Sequence, residues 1–193
     1  MFSLKMSNDR KISAKEKILI TAHDLFYSSG IRATGIDKII QQAKVTKVTF
    51  YRHYPSKSSL IIAYLNYRHE IWSDWFHITL RKKLDENKAP SYALSETFKE
   101  WFNHPSFRGC AFMNATAEVE AEDIRDEVKY ICRHHKLETC KIIGSLIDIT
   151  EHKSTDNIMM LIDGAIIHSQ MGMDVNGVVE QLNNGLKKLL PVI

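Results

Sequence analysis

The sequence predicts an all-α fold. Apolar residues recur at helical spacing through most long segments, and no stretch alternates apolar and polar residues for long enough to predict a strand. Only four prolines and eight glycines interrupt the 193 residues, of which 44% are hydrophobic, so a substantial core is expected. The longest purely apolar run, residues 60–65, is far shorter than the roughly 20 residues that span a bilayer. The N-terminus lacks the apolar segment of a secretory signal, so we expect a soluble cytoplasmic protein.

The N-terminal part of the chain carries the start and stop signals of three helices. Ser13 begins a Ser-x-x-Glu capping box for a first helix, and Gly30 is placed to end that helix in a left-handed conformation. A second short helix is predicted to begin at Thr34. After a tight turn at residues 44–45, Thr46 is a good N-cap for a third helix. Two short helices joined by a tight turn are typical of a helix-turn-helix.

The remainder of the chain predicts six further helices. Pro90, Pro105, Gly109 and Gly172 separate several of them, and most carry apolar residues at helical spacing. Their predicted ranges are 57 into the 80s, a helix after Pro90, 111–118, 123 to about 150, 156–171 and 175–190.

The formal net charge of +3 hides an asymmetry between the two parts of the chain. Residues 1–60 contain 11 Lys and Arg against 4 Asp and Glu, a charge of +7, whereas residues 61–193 contain 15 against 19, a charge of −4. A basic N-terminal part on a mildly acidic body indicates a surface for nucleic acid, although a solvated basic surface is the alternative.

The second short helix of such a motif lies in the major groove, with its N-terminal residues facing base edges. Val45 and Phe50 are apolar and can pack inward, which leaves the other side chains to face outward. Tyr51 and Lys57 are placed to contact phosphates, since Lys57 lies at a helix N-terminus, where free N–H groups and the helix dipole favour an anion. The predicted DNA-binding residues are Thr34, Thr46, Lys47, Val48, Thr49, Tyr51, Arg52, His53 and Lys57.

Residues 30–60 strongly resemble the DNA-binding signature of the tetracycline-repressor (TetR) family. The matching residues are Gly30, Thr34, Ile36, Ile39, Val45, Thr46, Thr49, Tyr51, His53, Tyr54, Lys57 and Leu60. The resemblance implies a DNA-binding domain over residues 11–72 and a ligand-binding and dimerisation domain over residues 73–193. It also implies a homodimeric transcriptional regulator, most simply a repressor released from a pseudo-palindromic operator by a small apolar effector. Activation is the open alternative to repression.

Three positions depart from the common family pattern, which has Ala, Gly and Gly where this chain has Ile40, Lys44 and Val48. A lysine at position 44 disfavours a turn with positive φ. Val48 offers methyl groups that can touch a thymine methyl but cannot form a hydrogen bond. The operator sequence therefore cannot be transferred from relatives.

The aromatic residues of the middle helices have two interpretations, as plain core or as the wall of an effector pocket. Pockets are mostly apolar with a few polar groups, and polar candidates lie nearby in the sequence. The predicted pocket residues are Trp72, Trp75, Phe98, Trp101, Phe102, Cys110, Asn114, His134 and His135.

The last two helices carry wide apolar stripes that suggest a four-helix dimer interface, which the family resemblance also implies. The predicted interface residues are Ile158, Ile162, Ile166, Leu182, Leu186 and Leu189.

Other functions have weaker support in the sequence. No P-loop, nucleophile elbow, HExxH or paired-carboxylate arrangement occurs, so we predict no enzyme activity and no cofactor. Cys132 and His135 lie three residues apart, but buried thiols and a satisfied histidine are favoured over a metal site. Oxidant sensing through Cys110, Cys132 or Cys140 remains an alternative switch. A helical interaction protein without specific DNA binding is the other alternative.

Overall fold

The computed structural model describes residues 12–86, 88–148 and 152–190. This part of the chain contains nine helices and no strand, which confirms the all-α prediction. The helices are α1 (Ala14–Ser29), α2 (Ile36–Ala43), α3 (Lys47–His53), α4 (Lys57–Asp85), α5 (Pro90–Phe102), α6 (Ala111–Glu118), α7 (Arg125–Ile147), α8 (His152–Gln170) and α9 (Val175–Leu189). None of the described helices is long and apolar enough to cross a membrane.

Capping by short polar side chains begins α1, α3 and α9. The Ser13 hydroxyl accepts the amide of Glu16 while the Glu16 carboxylate accepts the amide of Ser13, so the predicted capping box is formed. Thr46 caps α3 as predicted, and Asp174 caps α9. Gly30 ends α1 with φ +90° and ψ 153°, a positive φ as expected but outside the left-handed helical region.

The start of α2 differs from the sequence prediction. Helix α2 begins at Ile36 with Gly35 as its N-cap, so Thr34 is not the capping residue. The Thr34 hydroxyl donates instead to the Gly30 carbonyl oxygen, 2.7 Å away, and the side chain is fully buried. The hydroxyl is thus used to close the turn between α1 and α2 rather than to cap the next helix.

The turn between α2 and α3 takes the conformation that its sequence disfavours. Lys44 ends α2 with φ 53° and ψ 48°, and its amide donates to the Gln41 carbonyl oxygen. This left-handed conformation is normally left to glycine, because a Cβ crowds the following carbonyl oxygen. The turn thus adopts the positive φ that a lysine disfavours, and it carries that strain.

The chain divides into two compact units that do not follow a single cut in the sequence. One, the N-terminal unit, contains residues 12–71 and 110–133; the other, the C-terminal unit, contains residues 72–109 and 134–190. In the N-terminal unit α1 packs against α2 and α3, around a core that includes Ile18, Ile39 and Phe50. In the C-terminal unit α5 and α8 pack against α9.

Candidate nucleic-acid interface

Helix α3 is fixed to the N-terminal unit by one aromatic residue. Phe50 has no exposed surface, and its ring meets those of Tyr51 and Tyr54 at centroid distances of 5.3 and 6.4 Å. Tyr54 is itself buried and ends the helix. Because α3 has only seven residues, burying Phe50 determines which side chains face away from the core.

The outward side of α3 carries the side chains that DNA recognition requires. Lys47 and Arg52 are exposed, Val48 is 70% exposed and Tyr51 is 40% exposed. This face therefore combines two cations, a phenol and an apolar side chain on one short helix. Such a mixture suits contact with both phosphates and base edges.

The two threonines of α3 are engaged in its N-terminal cap. The Thr46 hydroxyl accepts the amide of Thr49 at 3.1 Å, and the two hydroxyl oxygens lie 2.8 Å apart. Thr46 is exposed and Thr49 is half-buried, as is His53 at the other end of the helix. A hydroxyl has further lone pairs, so capping does not prevent either threonine from contacting DNA.

Lys57 begins α4 beside the same surface. Ser56 and Ser59 exchange hydrogen bonds across this helix start, with the Ser59 amide donating to the Ser56 hydroxyl at 3.0 Å. Burial lowers the pKa of the Lys57 ammonium, and the negative charge of Glu118 opposes that shift. The lysine is thus a half-buried cation at a helix N-terminus, which is the arrangement expected of a phosphate contact.

Thr34 is the one predicted DNA-binding residue that the structure removes from this surface. Its side chain has no exposed area, and its hydroxyl is committed to the turn that follows α1. A buried side chain cannot reach a phosphate or a base edge, so Thr34 is assigned a structural role.

Comparison with known proteins agrees with this geometry. Residues 18–64 match the family model described as bacterial regulatory proteins, tetR family. The solved TetR-family transcriptional regulator SCO4454 from Streptomyces coelicolor superimposes with a TM-score of 0.75 at 28% identity, covering 91% of this chain and 87% of that one. Residues 18–64 therefore form a TetR-family DNA-binding domain.

Two curated bacterial relatives support the assignment. The HTH-type transcriptional regulator YuxN of Bacillus subtilis is 39% identical over 57 residues, which are 29% of this chain and 20% of that protein. An HTH-type regulator encoded in the lacX 3′ region of Lactococcus lactis is 24% identical over 174 residues, 85% of this chain and 87% of its own. The protein is thus a TetR-family transcriptional regulator with a DNA-binding helix-turn-helix.

The predicted effector residues fall into both units. In the C-terminal unit of this TetR-family chain, the Trp72 ring stacks on Phe76 at 4.9 Å and meets Trp101 edge-on at 5.5 Å and His135 at 5.0 Å. The predicted residues that belong to this unit are Trp72, Trp75, Phe98, Trp101, Phe102, His134 and His135. Cys110 and Asn114 belong to the N-terminal unit, where Cys110 is the N-cap of α6 and Asn114 lies within that helix.

Burial separates the members of this aromatic cluster. Trp72, Trp101 and His135 are buried, whereas Trp75 is half-buried and His134 is exposed. The indole N–H groups of Trp72 and Trp101 have no hydrogen-bond partner among the residues that the structure describes. Buried donors of this kind are usually paired, so these two groups distinguish the cluster from a plain apolar core.

The cysteines are placed as ordinary core residues. Cys110 and Cys132 are buried, and the Cys132 thiol donates to the Phe112 carbonyl oxygen at 3.3 Å. Cys140 is half-buried, and its burial, together with the charge of Asp156, raises the pKa of the thiol. A thiol that resists ionisation reacts slowly with oxidants, so this geometry disfavours the oxidant-sensing alternative. Within the described ranges, no three His, Cys, Asp or Glu side chains are grouped to hold a metal.

The predicted dimer residues of α8 and α9 face the wrong way for an interface. Ile158, Ile162 and Ile166 have at most 2% exposed surface, because the strongest apolar stripe of α8 packs into the C-terminal unit itself. The same is true of Leu182 and Leu186, and only Leu189 is half-buried. Ile158, Ile162, Ile166 and Leu186 therefore stabilise the protomer, and their prediction as interface residues was wrong. Leu182, which borders an open groove, and Leu189 stay predictions.

A different face of the same helices is apolar and open. It forms a groove of about 480 Å³, and Met160 beside it is 75% exposed. The groove is lined by Met160, Leu161, Gly164, Ala165, His168, Met173, Asp174, Gly177, Val178, Gln181 and Leu182. In the sequence this face is marked by Met160 and Gly164, which lie four residues apart beside the main apolar stripe of α8.

Proposed function

We propose that the protein is a repressor that binds a pseudo-palindromic operator as a homodimer and leaves it when a small apolar effector binds. The observation that carries the DNA-binding part is the orientation of α3. Phe50 is fully buried while Lys47, Val48 and Tyr51 face outward, so one short helix presents cationic, apolar and hydroxyl groups together. A helix of this size fits the major groove of B-DNA.

The proposed contacts divide into two classes. Lys57 and Tyr51 bind phosphates and set the position of the domain on DNA, whereas Lys47, Val48 and Thr49 meet base edges. Thr46, Arg52 and His53 flank this set on the same helix. Phosphate contacts act on every sequence alike, and only the base contacts select an operator.

The homodimer is proposed to form through the open groove of α8 and α9. Met160 and Met173 are large apolar side chains with at least half of their surface exposed, which is a costly arrangement in an isolated protomer. Gly164 and Gly177 line the groove and allow the close approach of a partner helix. A two-fold dimer contains two copies of α3 related by its axis, and this symmetry is the basis on which a pseudo-palindromic site is proposed.

The effector is proposed to bind the aromatic cluster of the C-terminal unit. Its aromatic rings favour flat apolar compounds, and the two indole N–H groups of Trp72 and Trp101 favour a compound with a hydrogen-bond acceptor. Helix α4 includes both Trp72 and Lys57, so displacing it changes the position of a proposed DNA contact. By linkage, effector and operator then weaken each other by the same factor, typically about 1–3 kcal/mol.

Selection of bound duplexes from random DNA, followed by footprinting, tests the DNA-binding part. We expect a pseudo-palindromic site whose half-sites lie about one helical turn apart. Failure to enrich any sequence, with binding that depends on salt alone, would contradict the proposal and favour an interaction protein.

Tryptophan fluorescence tests the effector part. Aromatic compounds with carbonyl or nitro acceptors are screened for quenching, and operator affinity is measured with and without each hit. Compounds that quench should weaken operator binding by about 5- to 150-fold. Quenching that leaves operator affinity unchanged would disprove the coupling.

A further inference from the structure

Glu118 lies at the last residue of α6 and contacts a distant part of the N-terminal unit. The backbone amide of Arg32 donates to Glu118 Oε2 at 3.1 Å, and Arg32 Nε donates to the Glu118 carbonyl oxygen at 2.9 Å. The Arg32 guanidinium also forms an ion pair with Glu120. Three polar contacts therefore join the end of α6 to the turn between α1 and α2, across 86 residues of sequence.

Gly30 makes this approach possible. A Cβ atom built on Gly30 would lie 3.0 Å from Glu118 Oε2, closer than side chains normally tolerate. The positive φ of Gly30 ends α1 and leaves the Arg32 amide free to donate to the carboxylate. The glycine thus serves the contact with α6 as well as the end of α1.

The turn held by Glu118 leads directly into the DNA-binding helices. In the same turn, the Thr34 hydroxyl donates to the Gly30 carbonyl oxygen. The segment before α2 is therefore held by this hydrogen bond as well as by the contacts of Arg32 with Glu118. The Glu118 charge also acts on Lys57, whose pKa it raises against the effect of burial. The Glu118 carboxylate therefore both accepts a hydrogen bond from the turn that precedes α2 and interacts electrostatically with Lys57, a proposed phosphate contact.

Helix α6 joins Glu118 to its own N-cap, Cys110, within the N-terminal unit. Cys110, Asn114 and Glu118 are spaced four residues apart and lie along one side of the helix. With eight residues, α6 is about 12 Å long. A displacement at the Cys110 end reaches the Glu118 end through a single rigid element.

We propose that Glu118 is a positioning residue for DNA recognition: it fastens α6 to the α1–α2 turn and thereby sets the orientation of α3. The proposal rests on the DNA-binding function given above and adds to it a contact, within the N-terminal unit, that holds the helix-turn-helix against α6. It assigns to Glu118 no contact with DNA. Its removal alters how well α3 fits an operator, not how strongly the basic surface attracts any duplex.

The test compares Glu118→Ala, Glu118→Gln and a matched control, Glu122→Ala, in the full-length protein. Glu122 is an exposed carboxylate four residues away, so its removal changes the net charge equally. Each variant is titrated against the operator selected by the wild type and against a random-sequence duplex of equal length. Circular dichroism confirms that all variants are folded at the temperature of the titration.

Glu118→Ala should lower operator affinity by about tenfold while random-duplex affinity changes by less than about twofold. Glu118→Gln keeps an oxygen that accepts the Arg32 amide, so it should retain operator affinity within about threefold. Glu122→Ala should behave as the wild type. An operator affinity for Glu118→Ala equal to that of the wild type, or an equal loss in Glu118→Ala and Glu122→Ala, would overturn the proposal. If the wild type itself selects no operator, the DNA-binding function fails instead.

Discussion

The helix pairs α2–α3 and α8–α9 are built from similar amphipathic sequences, yet they expose opposite kinds of side chain. The outer face of α3 carries Lys47, Tyr51 and Arg52, whereas the outer face of α8 carries Met160, which is 75% exposed. In both pairs the strongest apolar stripe packs into the unit to which the helix belongs. The difference lies in the second face, which is polar in one pair and apolar in the other.

This difference teaches that the buried face of a helix and the molecule against which that face packs have to be established separately. A stripe such as Ile158, Ile162 and Ile166 shows which side is buried, but not whether it packs against the same chain or another copy. The partner-facing side is recognised by apolar residues that remain exposed after the protomer's own core is complete. For α8 and α9 the exposed apolar residues include Met160 and Met173, so the proposed dimer surface is the face that carries them.

The largest expected effect separates these two faces directly. Ile162→Asp places a carboxylate at a position with no exposed surface, which should cost about 4 kcal/mol or more and leave little folded protein. Met160→Asp places the same charge in the open groove, so the protein should stay folded and become monomeric. Thermal melts by circular dichroism and light scattering after gel filtration measure the two outcomes. A folded monomer from Ile162→Asp, or a dimer from Met160→Asp, would reverse the assignment of the faces.

The next largest effect, a loss of folding stability, is expected in the N-terminal unit when Gly30 is replaced. Gly30→Ala adds a Cβ at φ +90°, where side chains are strained, and brings it 3.0 Å from the Glu118 carboxylate. We expect a loss of about 2 kcal/mol in the free energy of unfolding, measured by urea denaturation. Gly35→Ala is the control, because a Cβ there has nothing within 4 Å. Equal losses at the two glycines would show that the strain at Gly30 does not matter.

Replacing Lys44 by glycine should change the free energy of unfolding by less, and should raise it rather than lower it. Lys44→Gly relieves the left-handed conformation at φ 53°, and the gain is reduced by the greater freedom of glycine in the unfolded chain. The net stabilisation should be about 0.5–1 kcal/mol by urea denaturation. Lys44→Ala, which keeps a Cβ, should give no such gain. Destabilisation by the glycine would mean that the lysine side chain supports the turn.

The smallest effect is expected for Cys140 in the C-terminal unit. Its pKa is raised by burial, so at neutral pH less of the thiol is ionised than in the unfolded chain. In a variant that lacks Cys110 and Cys132, native Cys140 should react with a disulfide reagent more slowly than the urea-unfolded protein. The native rate should keep rising at pH values where an ordinary thiol is already ionised. Equal rates in both states at neutral pH would restore the oxidant-sensing alternative.

Local signals in the sequence were sufficient for most of the N-terminal unit. The caps at Ser13 and Thr46 and the inward position of Phe50 follow from side-chain chemistry within a few residues. The prediction for Thr34 was wrong because the hydroxyl of a threonine before a helix can either cap that helix or close the preceding turn, and the local sequence does not distinguish the two. Lys44 was misjudged because tertiary packing can impose a conformation that the residue itself disfavours.

Longer-range properties could not be derived in the same way. The contact of Glu118 with Arg32 joins segments 86 residues apart and has no local signal. The open face of α8 becomes visible only when the protomer's own packing is known, since its apolar stripe is weaker than the buried one. The Trp72 ring contacts the rings of Phe76 and Trp101, but which side chains of this cluster are buried depends on the fold.

The sequence preferences of the wild type, Lys47→Ala and Lys57→Ala test the central claim most directly. All three are profiled on the same randomised duplex pool at two salt concentrations. Lys57→Ala should keep the wild-type preferences, bind every sequence more weakly, and lower the salt slope by about one unit for one lost phosphate contact. Lys47→Ala should change preference at particular base pairs by about 1–3 kcal/mol. Identical profiles for the wild type and Lys47→Ala would contradict the assignment of α3 as the recognition helix.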